Sequence, residues 1–440
     1  MKFTVKQVSL IAGACAAAFA APAVMAQRTM PLDGNALTIK GSIGGGLGRV
    51  KSSGATAGPA SDTVARTVVT PGDNEITFFG STKLNGPLIK AFGFTMETGF
   101  DTDEGFSGAS AGILFARNTG MGMRTDIGDF WTGKWDSPFK GIGGMAAVTG
   151  TASGVSASTT SILRSPGMGF SGGGTLKGGT AGGNTMGFDR RQTNTLNYAS
   201  PVFSNTRVLL QFSPDEETGT GSPPASSARA RMYGLGVIYK SGPLTLGYAY
   251  DRHDDFLWGA TATGTTSTFA LSGTDAFGIA SGPWGQGTES KDTGHLVVVN
   301  YKFGNTTLKA YYDRLRWTQS GGTAILTELE KDDWYIGVQQ QLGGPHGIRV
   351  GYNVAQSYSC ISLAPTTTCG TETGATQLNV VYEYKMNKDA SLWLFVGRQA
   401  NDRQGNYKPS GAASSVPVGA VLNPAGKTYT AYSITWTTDF

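Results

Sequence analysis

Basic side chains recur in segments where apolar and polar residues alternate along the chain. Residues i and i+2 of an extended strand share a face, so this alternation gathers the basic residues on a polar face. Lysines and arginines that line a narrow aqueous passage favour anions, because a partly dehydrated ion senses fixed charge more strongly than it does in bulk water. Alternation assigns to such a face the basic residues Lys40, Lys134, Arg191, Arg207, Lys309 and Arg349 and the acidic residues Glu75, Glu97, Asp251, Asp313 and Glu383.

Catalytic and metal-binding patterns are weak in this chain. The three histidines lie in separate segments, at His253, His295 and His346. A nucleophilic site needs a base and an orienting group within reach of the nucleophile, and these positions suggest no such triad. Asp101, Asp103 and Glu104 could contact a divalent cation, but a calcium loop needs more oxygen ligands at regular spacing. The sequence therefore argues against an enzyme and predicts no metal or cofactor.

The first 26 residues have the three parts of a secretory signal peptide. Lys2 and Lys6 supply the positive charge, residues 8–19 the apolar core, and Val24-Met25-Ala26 an A-x-A-like cleavage site. Cleavage removes two lysines and no acid, so the formal charge falls from +4 to +2. A nearly neutral mature chain, 27–440, predicts no nucleic acid partner.

Two of the three cysteines, Cys360 and Cys369, remain after cleavage. An exported protein meets an oxidising compartment, so these neighbours predict a disulfide that constrains one surface loop. A metal site is the alternative, and it would need more ligands than this stretch offers. Cys15 lies inside the signal's apolar core, where Ala12 is smaller than the residue that a lipoprotein signal requires.

The composition excludes a helical membrane span. Charged residues make up 15% of the chain, 65 residues are glycine, and no apolar run after the signal approaches the length of a membrane helix. Short segments with a period of two predict membrane-crossing strands instead. Sixteen can be placed, at approximately 37–50, 74–83, 87–100, 112–123, 127–135, 190–198, 202–212, 231–239, 244–251, 295–303, 306–314, 334–342, 347–357, 377–385, 390–399 and 427–440.

The connections between these segments alternate in length, as in outer-membrane barrels with short periplasmic turns and long extracellular loops. The short ones contain Gly, Pro, Asn or Asp, as tight turns require. The long ones are 51–73, 101–111, 136–189, 213–230, 252–294, 315–333, 358–376 and 400–426. Both ends of the chain then lie on the periplasmic side, so the number of strands is even.

Alternation also predicts which face meets lipid, since lipid accepts only apolar side chains. The outward residues would include Leu37, Ile39, Ile43, Phe92, Phe94, Tyr432, Ile434, Trp436 and Phe440. Aromatic residues near strand ends would form the interfacial girdles: Phe79, Phe100, Trp131, Tyr250, Tyr301 and Tyr384. A soluble β-sandwich shows similar alternation, but its polar faces would have nothing to pack against. The fold expected is all-β, a transmembrane antiparallel barrel with a water-filled interior.

Several stretches together resemble the general porins of β-proteobacteria: IKAFGFTMETGF (89–100), RNTGMGMRTDIGDFWTGKWDSPFK (117–140), TNTLNYASPVFS (193–204) and the terminal phenylalanine. The resemblance implies an outer-membrane barrel of about sixteen strands, a homotrimer, and a third extracellular loop folded into the lumen. It also implies that Phe440, with Trp436, is the signal read by the barrel-insertion machinery. Ions and small hydrophilic solutes would pass, and the surface would contact outer-membrane lipid and lipopolysaccharide.

The resemblance makes 136–189 the constriction loop. Asp136 and Asp189 flank it, and between them lie Lys140, Arg164 and Lys177 with no acid. A loop without internal carboxylates predicts a modest anion preference. Arg117 matches an arginine of the family, whereas alternation groups it with Thr119 and Met121, which would point it outward, so the sequence leaves its face open.

Three other functional classes stay open at this point. They are a channel adapted to one class of substrate, an adhesin or receptor that acts through the loops, and an enzyme built on a barrel. Conductance would identify a pore, hydrolysis an enzyme, and binding without conductance an adhesin.

Overall fold

The alternating segments form strands in the computed structural model, which describes residues 29–34, 36–56, 58–70, 74–100, 114–148, 162–163, 187–214, 231–254, 289–320, 326–362, 372–405, 407 and 425–440. Within these ranges lie eighteen strands, a 3-10 turn (Pro59–Ser61) and a short helix, α1 (Pro138–Gly144). The strands are β1 (Thr38–Ser53), β2 (Arg66–Thr70), β3 (Asn74–Lys83), β4 (Ile89–Phe100), β5 (Thr119–Thr125), β6 (Gly128–Asp136), β7 (Arg191–Ala199), β8 (Thr206–Ser213), β9 (Arg231–Ser241), β10 (Leu244–Asp254), β11 (Glu289–Phe303), β12 (Thr306–Ser320), β13 (Leu326–Gly343), β14 (His346–Ala355), β15 (Ser359–Ser362), β16 (Ala375–Lys385), β17 (Ala390–Asn401) and β18 (Thr428–Asp439).

All strands belong to one antiparallel sheet that closes on itself. β18 pairs with β1 from Ser42↔Asp439 to Ser53↔Thr428. β2 and β3 both pair with β1 and form one interrupted crossing, as do β14 and β15 along β13. The eighteen strands therefore make sixteen crossings, which confirms the predicted number. Closure satisfies the backbone hydrogen bonds that an open edge would expose to lipid.

Predicted and observed strand ends differ most where charged residues extend a strand beyond the apolar band. β12 continues to Ser320 and β13 begins at Leu326, whereas alternation ended the segments at 314 and 334. Ion pairs hold this extension together, among them Arg314 Nε and Asp332 Oδ1 at 2.8 Å. Charged pairs replace the apolar pattern in these extensions, so hydropathy alone predicted both strands too short.

The two faces of the sheet follow the predicted alternation. The outward residues Leu37, Ile39, Phe92, Ile434 and Trp436 are exposed, whereas polar residues such as Thr95 and Thr435 face inward. Two aromatic residues assigned to the girdle are an exception, because Phe79 and Trp131 are buried on the inner side. None of the helices in the described ranges is long and apolar enough to cross a membrane.

The main apolar core lies inside the barrel, against one part of its wall. Phe139, Ile142 and Ala146 are fully buried there with the wall residues Leu315 and Trp317. Helix α1 packs against β8, β9, β10 and β11. The inner wall is therefore apolar in part, including the area that the segment after β6 covers.

Candidate functional site in the barrel lumen

The connection after β6 turns into the lumen at α1. Ser137 caps the helix, since its side-chain oxygen accepts a hydrogen bond from the Lys140 backbone N–H at 3.1 Å. Pro138 occupies the first turn, where its missing N–H is not needed. The buried Phe139 and Ile142 then fix the helix to the wall. This capped helix directs the start of the predicted constriction loop into the lumen.

Glycines in the wall make room for this helix. A Cβ atom on Gly247 would lie 2.7 Å from Ile142 Cγ2, and one on Gly294 would lie 2.7 Å from Phe188 Cδ1. Real Cβ atoms essentially never approach other heavy atoms so closely, so a larger residue would force the loop away. The glycines of β10 and β11 therefore receive the infolded segment, a role that alternation did not reveal.

Cations on the wall hold the backbone after α1. Lys309 Nζ donates to the carbonyl oxygens of Met145, at 3.0 Å, and Ala147, at 2.6 Å. Arg349 Nη1 donates to the Val148 carbonyl at 2.9 Å. Lys309 thus lies on the lumenal side, and its described partners are neutral oxygens that leave its positive charge uncompensated.

Two clusters of buried charge lie beneath the infolded segment. In the first, Arg190 interacts electrostatically with Asp251 and Asp292, and Phe188 stacks on His253 with 4.8 Å between ring centroids. In the second, Lys331 Nζ lies 2.9 Å from Asp333 Oδ2.

The second cluster also includes Asp313, which accepts a hydrogen bond from Tyr311 Oη, and Tyr407, whose hydroxyl oxygen accepts one from Lys331 Nζ at 3.0 Å. Burial raises the pKa of Tyr407, which follows β17 in a loop, to about 12. Asp251 and Asp313 face inward as alternation indicated, but both are fully buried and do not line the water.

Arg117, whose face the sequence left open, points into the lumen. Its Nη2 lies 2.8 Å from Glu75 Oε2 and its Nε lies 2.6 Å from Glu97 Oε1, both on inward faces. Arg117 precedes β5, which begins at Thr119, so strand parity does not apply to it. Glu97 is therefore one of two carboxylates that share a single arginine.

Two further predicted residues lie on the inner wall. Arg207 Nη2 lies 3.5 Å from Asp129 Oδ2, and Arg124 Nε lies 2.8 Å from Asp129 Oδ1. Lys40 lies 4.9 Å from the centre of the Phe79 ring, where a cation–π contact forms.

The assignment of Lys134 to the lumen is wrong. Trp131 and Trp135 face inward on β6, so the even-numbered residues of this strand face outward. Lys134 lies in an outer depression with Phe94 and Met121.

Asp136 and Arg191 form an ion pair at 3.0 Å at the start of the infolded connection, and both contact the buried Asn118. A register shift between Gly133 and Trp135 adds a residue to β7 near Asn194, which has a φ of 52°. Alternation misplaced Lys134 because it put Trp131 of the same strand among the outward aromatic residues, whereas Trp131 faces inward. The bulge also changes the parity of β7 next to Arg191.

The remaining predicted residues lie at the edges of the described structure. Lys140, in α1, pairs with Asp189 at 3.3 Å. Cys360 is disulfide-bonded, and Phe440 exchanges two backbone hydrogen bonds of 3.0 Å with Gly41 at the seam of the barrel. Trp436 and Phe440 both face outward. Outside the described residues lie the predicted signal peptide 1–26, Arg164, Lys177 and Cys369.

A lumen of this kind, with charged and neutral polar groups around a bound loop, suits the passage of hydrated solutes. Among the described residues no group of three potential metal ligands occurs. The seven-residue α1 and the glycine-lined wall position the loop, and the ion pairs set the charge around it.

Comparison with known proteins agrees with this architecture. The family model of the Gram-negative porins matches residues 12–404. No curated protein matches the chain significantly. Among solved structures, the anion-selective porin from Comamonas acidovorans is 16% identical, with a TM-score of 0.64, and the match covers 92% of this chain and 100% of that one.

Two further porin structures are similar. OmpT of Vibrio cholerae, in its trimer form, is 12% identical with a TM-score of 0.58, over 93% of this chain and 100% of that one. OmpF of Salmonella typhi, in complex with daunomycin, is 14% identical with a TM-score of 0.51, over 92% and 98%. With its closed sixteen-strand barrel and a family match over most of its length, the chain belongs to the Gram-negative porins and forms a channel for small solutes in the outer membrane.

Proposed function

We propose that the channel conducts ions and small hydrophilic solutes by passive diffusion and modestly prefers anions. The observation that carries this proposal is the order of charges on the inner wall. In two ion pairs on the inner wall, Arg349–Glu383 and Arg207–Asp129, the cation is more exposed than its carboxylate, so the positive end of each of these pairs meets the water. The pairs Lys140–Asp189 and Arg124–Asp33 have the opposite order.

The exposed fractions of the side chains are 19% for Arg349 against 6% for Glu383, and 30% for Arg207 against 7% for Asp129. An ion in the lumen therefore approaches the guanidinium more closely than the carboxylate. Since Coulomb energy falls with distance, the nearer charge dominates.

Cations with neutral partners add to the effect. Lys309 binds two carbonyl oxygens, and Lys40 lies over the Phe79 ring. Neither contact cancels the charge. The anion selectivity ascribed to the Comamonas acidovorans porin is in line with this proposal, although the low identity makes it a likeness of fold alone.

Single-channel recording in a planar bilayer under a salt gradient tests the proposal. Purified protein should open in discrete steps, with a reversal potential displaced toward the anion equilibrium potential. A displacement toward the cation equilibrium potential would contradict the anion preference, and a lack of steps would contradict the open channel.

We also propose a homotrimer, as a Vibrio cholerae neighbour forms. Lys134 faces outward beside Phe94 and Met121, and a lysine on a lipid-facing surface is costly. A neighbouring subunit over this depression would shield it from lipid. Lys134→Glu should then shift the protein from trimer toward monomer in native mass measurements, whereas Lys388→Glu, in an exposed turn, should not.

We also propose that the two ends of the chain direct its export and its insertion into the outer membrane. Residues 1–26 would be removed as a signal peptide, and Phe440 with Trp436 would be bound by the insertion machinery. The barrel would then contact outer-membrane lipid and lipopolysaccharide. Deletion of Phe440 should lower the amount of folded protein in the outer membrane, measured by heat-dependent migration on gels, without lowering synthesis.

A further inference from the structure

Residues 29–34, which we name the N-terminal segment, precede β1 and lie against the inner wall. Met30 and Leu32 are each 1% exposed. Both belong to the apolar cluster that includes the inward-facing Trp131. A segment outside the barrel proper thus contributes two of its most buried side chains.

A pair of glycines forms the surface on which this segment lies. Gly93 of β4 and Gly122 of β5 are direct partners in the sheet. A Cβ atom on Gly93 would lie 2.9 Å from Leu32 Cδ2, and one on Gly122 would lie 2.9 Å from Met30 Sδ. The wall is therefore shaped to hold the segment in one position.

Polar contacts fix the other end of the segment. The Gly34 N–H donates to Ser81 Oγ at 2.8 Å. Gly34 has a φ of 76°, and a Cβ atom there would lie 2.4 Å from Lys83 Cγ, so only glycine allows this turn toward β1. Asp33 forms an ion pair with Arg124. The segment thus crosses the inner faces of β5, β4 and β3 before the chain enters β1.

Asp33 reverses the order of charges found in the pairs Arg349–Glu383 and Arg207–Asp129. Its side chain is 69% exposed, against 35% for Arg124, whereas Asp129 in the same cluster is 7% exposed. A carboxylate therefore also meets the water beside Arg124 and Arg207.

We propose that the N-terminal segment is a permanent part of the channel, narrowing the lumen at the end where the short turns lie, and that Asp33 lowers the anion preference there. The narrowing by the N-terminal segment follows from its packing alone. The role of Asp33 rests on the proposed anion preference, because Asp33 would limit that preference.

A charge-neutralising variant tests the role of Asp33. Asp33→Asn should raise the anion-to-cation permeability ratio about twofold, as expected for one unit charge near the ion path after salt screening. The matched control is Asp126→Asn, which removes a carboxylate from the β5–β6 turn at the same end, where it pairs with Lys90 at 3.4 Å. An unchanged reversal potential for Asp33→Asn, or an equal shift for Asp126→Asn, would overturn the proposal.

A second variant tests the narrowing. Leu32→Asp places a charge in the apolar contact and should release the segment, so the single-channel conductance should rise while the barrel keeps its heat-dependent migration. Unchanged conductance in a folded Leu32→Asp channel would contradict the narrowing. Because Asp33 is exposed, Asp33→Asn should fold even if Leu32→Asp does not.

The outcomes separate this inference from the proposed function. If the wild-type channel prefers cations but Asp33→Asn still shifts selectivity toward anions, the proposed anion preference is wrong and the role of Asp33 stands. If the wild-type channel prefers anions and Asp33→Asn changes nothing, the role of Asp33 is wrong and the proposed function stands.

Discussion

Two parts of the inner wall use their cations in different ways. In the first part, Arg117 precedes β5 and is held between the carboxylates of Glu75 on β3 and Glu97 on β4. On β12 and β14, Lys309 and Arg349 bind backbone carbonyls of the infolded loop. The first arrangement neutralises the cation, whereas the second uses it to hold the loop and leaves the Lys309 charge in place.

The difference shows that the number of charges on a wall does not determine its effect on a passing ion. A cation that binds neutral oxygens keeps its field, and a cation between two carboxylates does not. Lys309 therefore both positions the loop and acts on passing ions. Arg117 binds two carboxylates instead. The substitutions below test this contrast.

Charge reversal at Lys309 should have the largest effect on selectivity. One unit charge about 8 Å from an ion in water contributes about 0.5 kcal/mol, and about 0.2 kcal/mol after salt screening. Because anions and cations respond oppositely, each unit should change the permeability ratio about twofold. Lys309→Glu should thus shift the ratio toward cations about fourfold and Lys309→Gln about twofold, measured by reversal potentials.

The control for Lys309 is Lys388→Gln, which removes a charge from an exposed turn where Lys388 pairs with Asp389 at 3.4 Å. It should leave the ratio unchanged. An equal shift for both variants would mean that net charge, and not position, controls selectivity.

Removal of the Arg117 charge should shift selectivity less than charge reversal at Lys309, and it should lower the stability of the barrel more. Arg117→Gln leaves Glu75 and Glu97 without their shared arginine and should move the ratio toward cations about twofold. Since Glu97 is almost fully buried, the free energy of unfolding should fall by about 3 kcal/mol. Denaturant unfolding in detergent measures this loss, and the double variant Arg117→Gln, Glu97→Gln should recover part of it. No recovery would contradict the ion pair.

A larger residue at Gly294 tests whether the wall holds the loop by shape. Gly294→Val should push Phe188 and Phe139 away, at about 1 to 3 kcal/mol of strain, and raise the conductance with little change in selectivity. Gly80→Val, where the nearest atom to the new Cβ is Phe94 Cε1 at 3.3 Å, is the control. Equal conductances in the two variants would argue against a loop held by the glycines.

Removal of the predicted disulfide should have the smallest effect on the channel. Cys360→Ser with Cys369→Ser should leave conductance unchanged, because the bond joins residues of an extracellular connection. Proteolysis between 358 and 376 should become faster, as the loop gains freedom. A changed permeability ratio would show that this connection reaches the ion path.

The fold was predictable because lipid imposes a simple rule on every crossing. Apolar and polar residues must alternate in each strand, and short and long connections must alternate between strands. Together these two patterns predict sixteen crossings, as observed. The site was predictable only in part. Parity placed Lys40, Arg207 and Lys309 on the inward face, where the structure has them, but it failed for Lys134.

The failures have physical causes that a linear pattern does not contain. Trp131 and Trp135 are apolar residues that face an apolar part of the lumen, and parity cannot distinguish that environment from lipid. Arg117 lies outside regular structure, and the carbonyls bound by Lys309 come from residues more than 160 positions away in the chain. Long-range contacts of this kind leave no periodic trace.

The sequence by itself determined the compartment, the barrel and its number of strands, because these follow from hydropathy that acts on each segment separately. Only the tertiary structure decided which charges meet the water, since that depends on what packs over each of them. Glu97 and Asp313 are covered, Lys309 is engaged by the loop, and Asp33 is brought into the lumen by a segment that lies outside every strand.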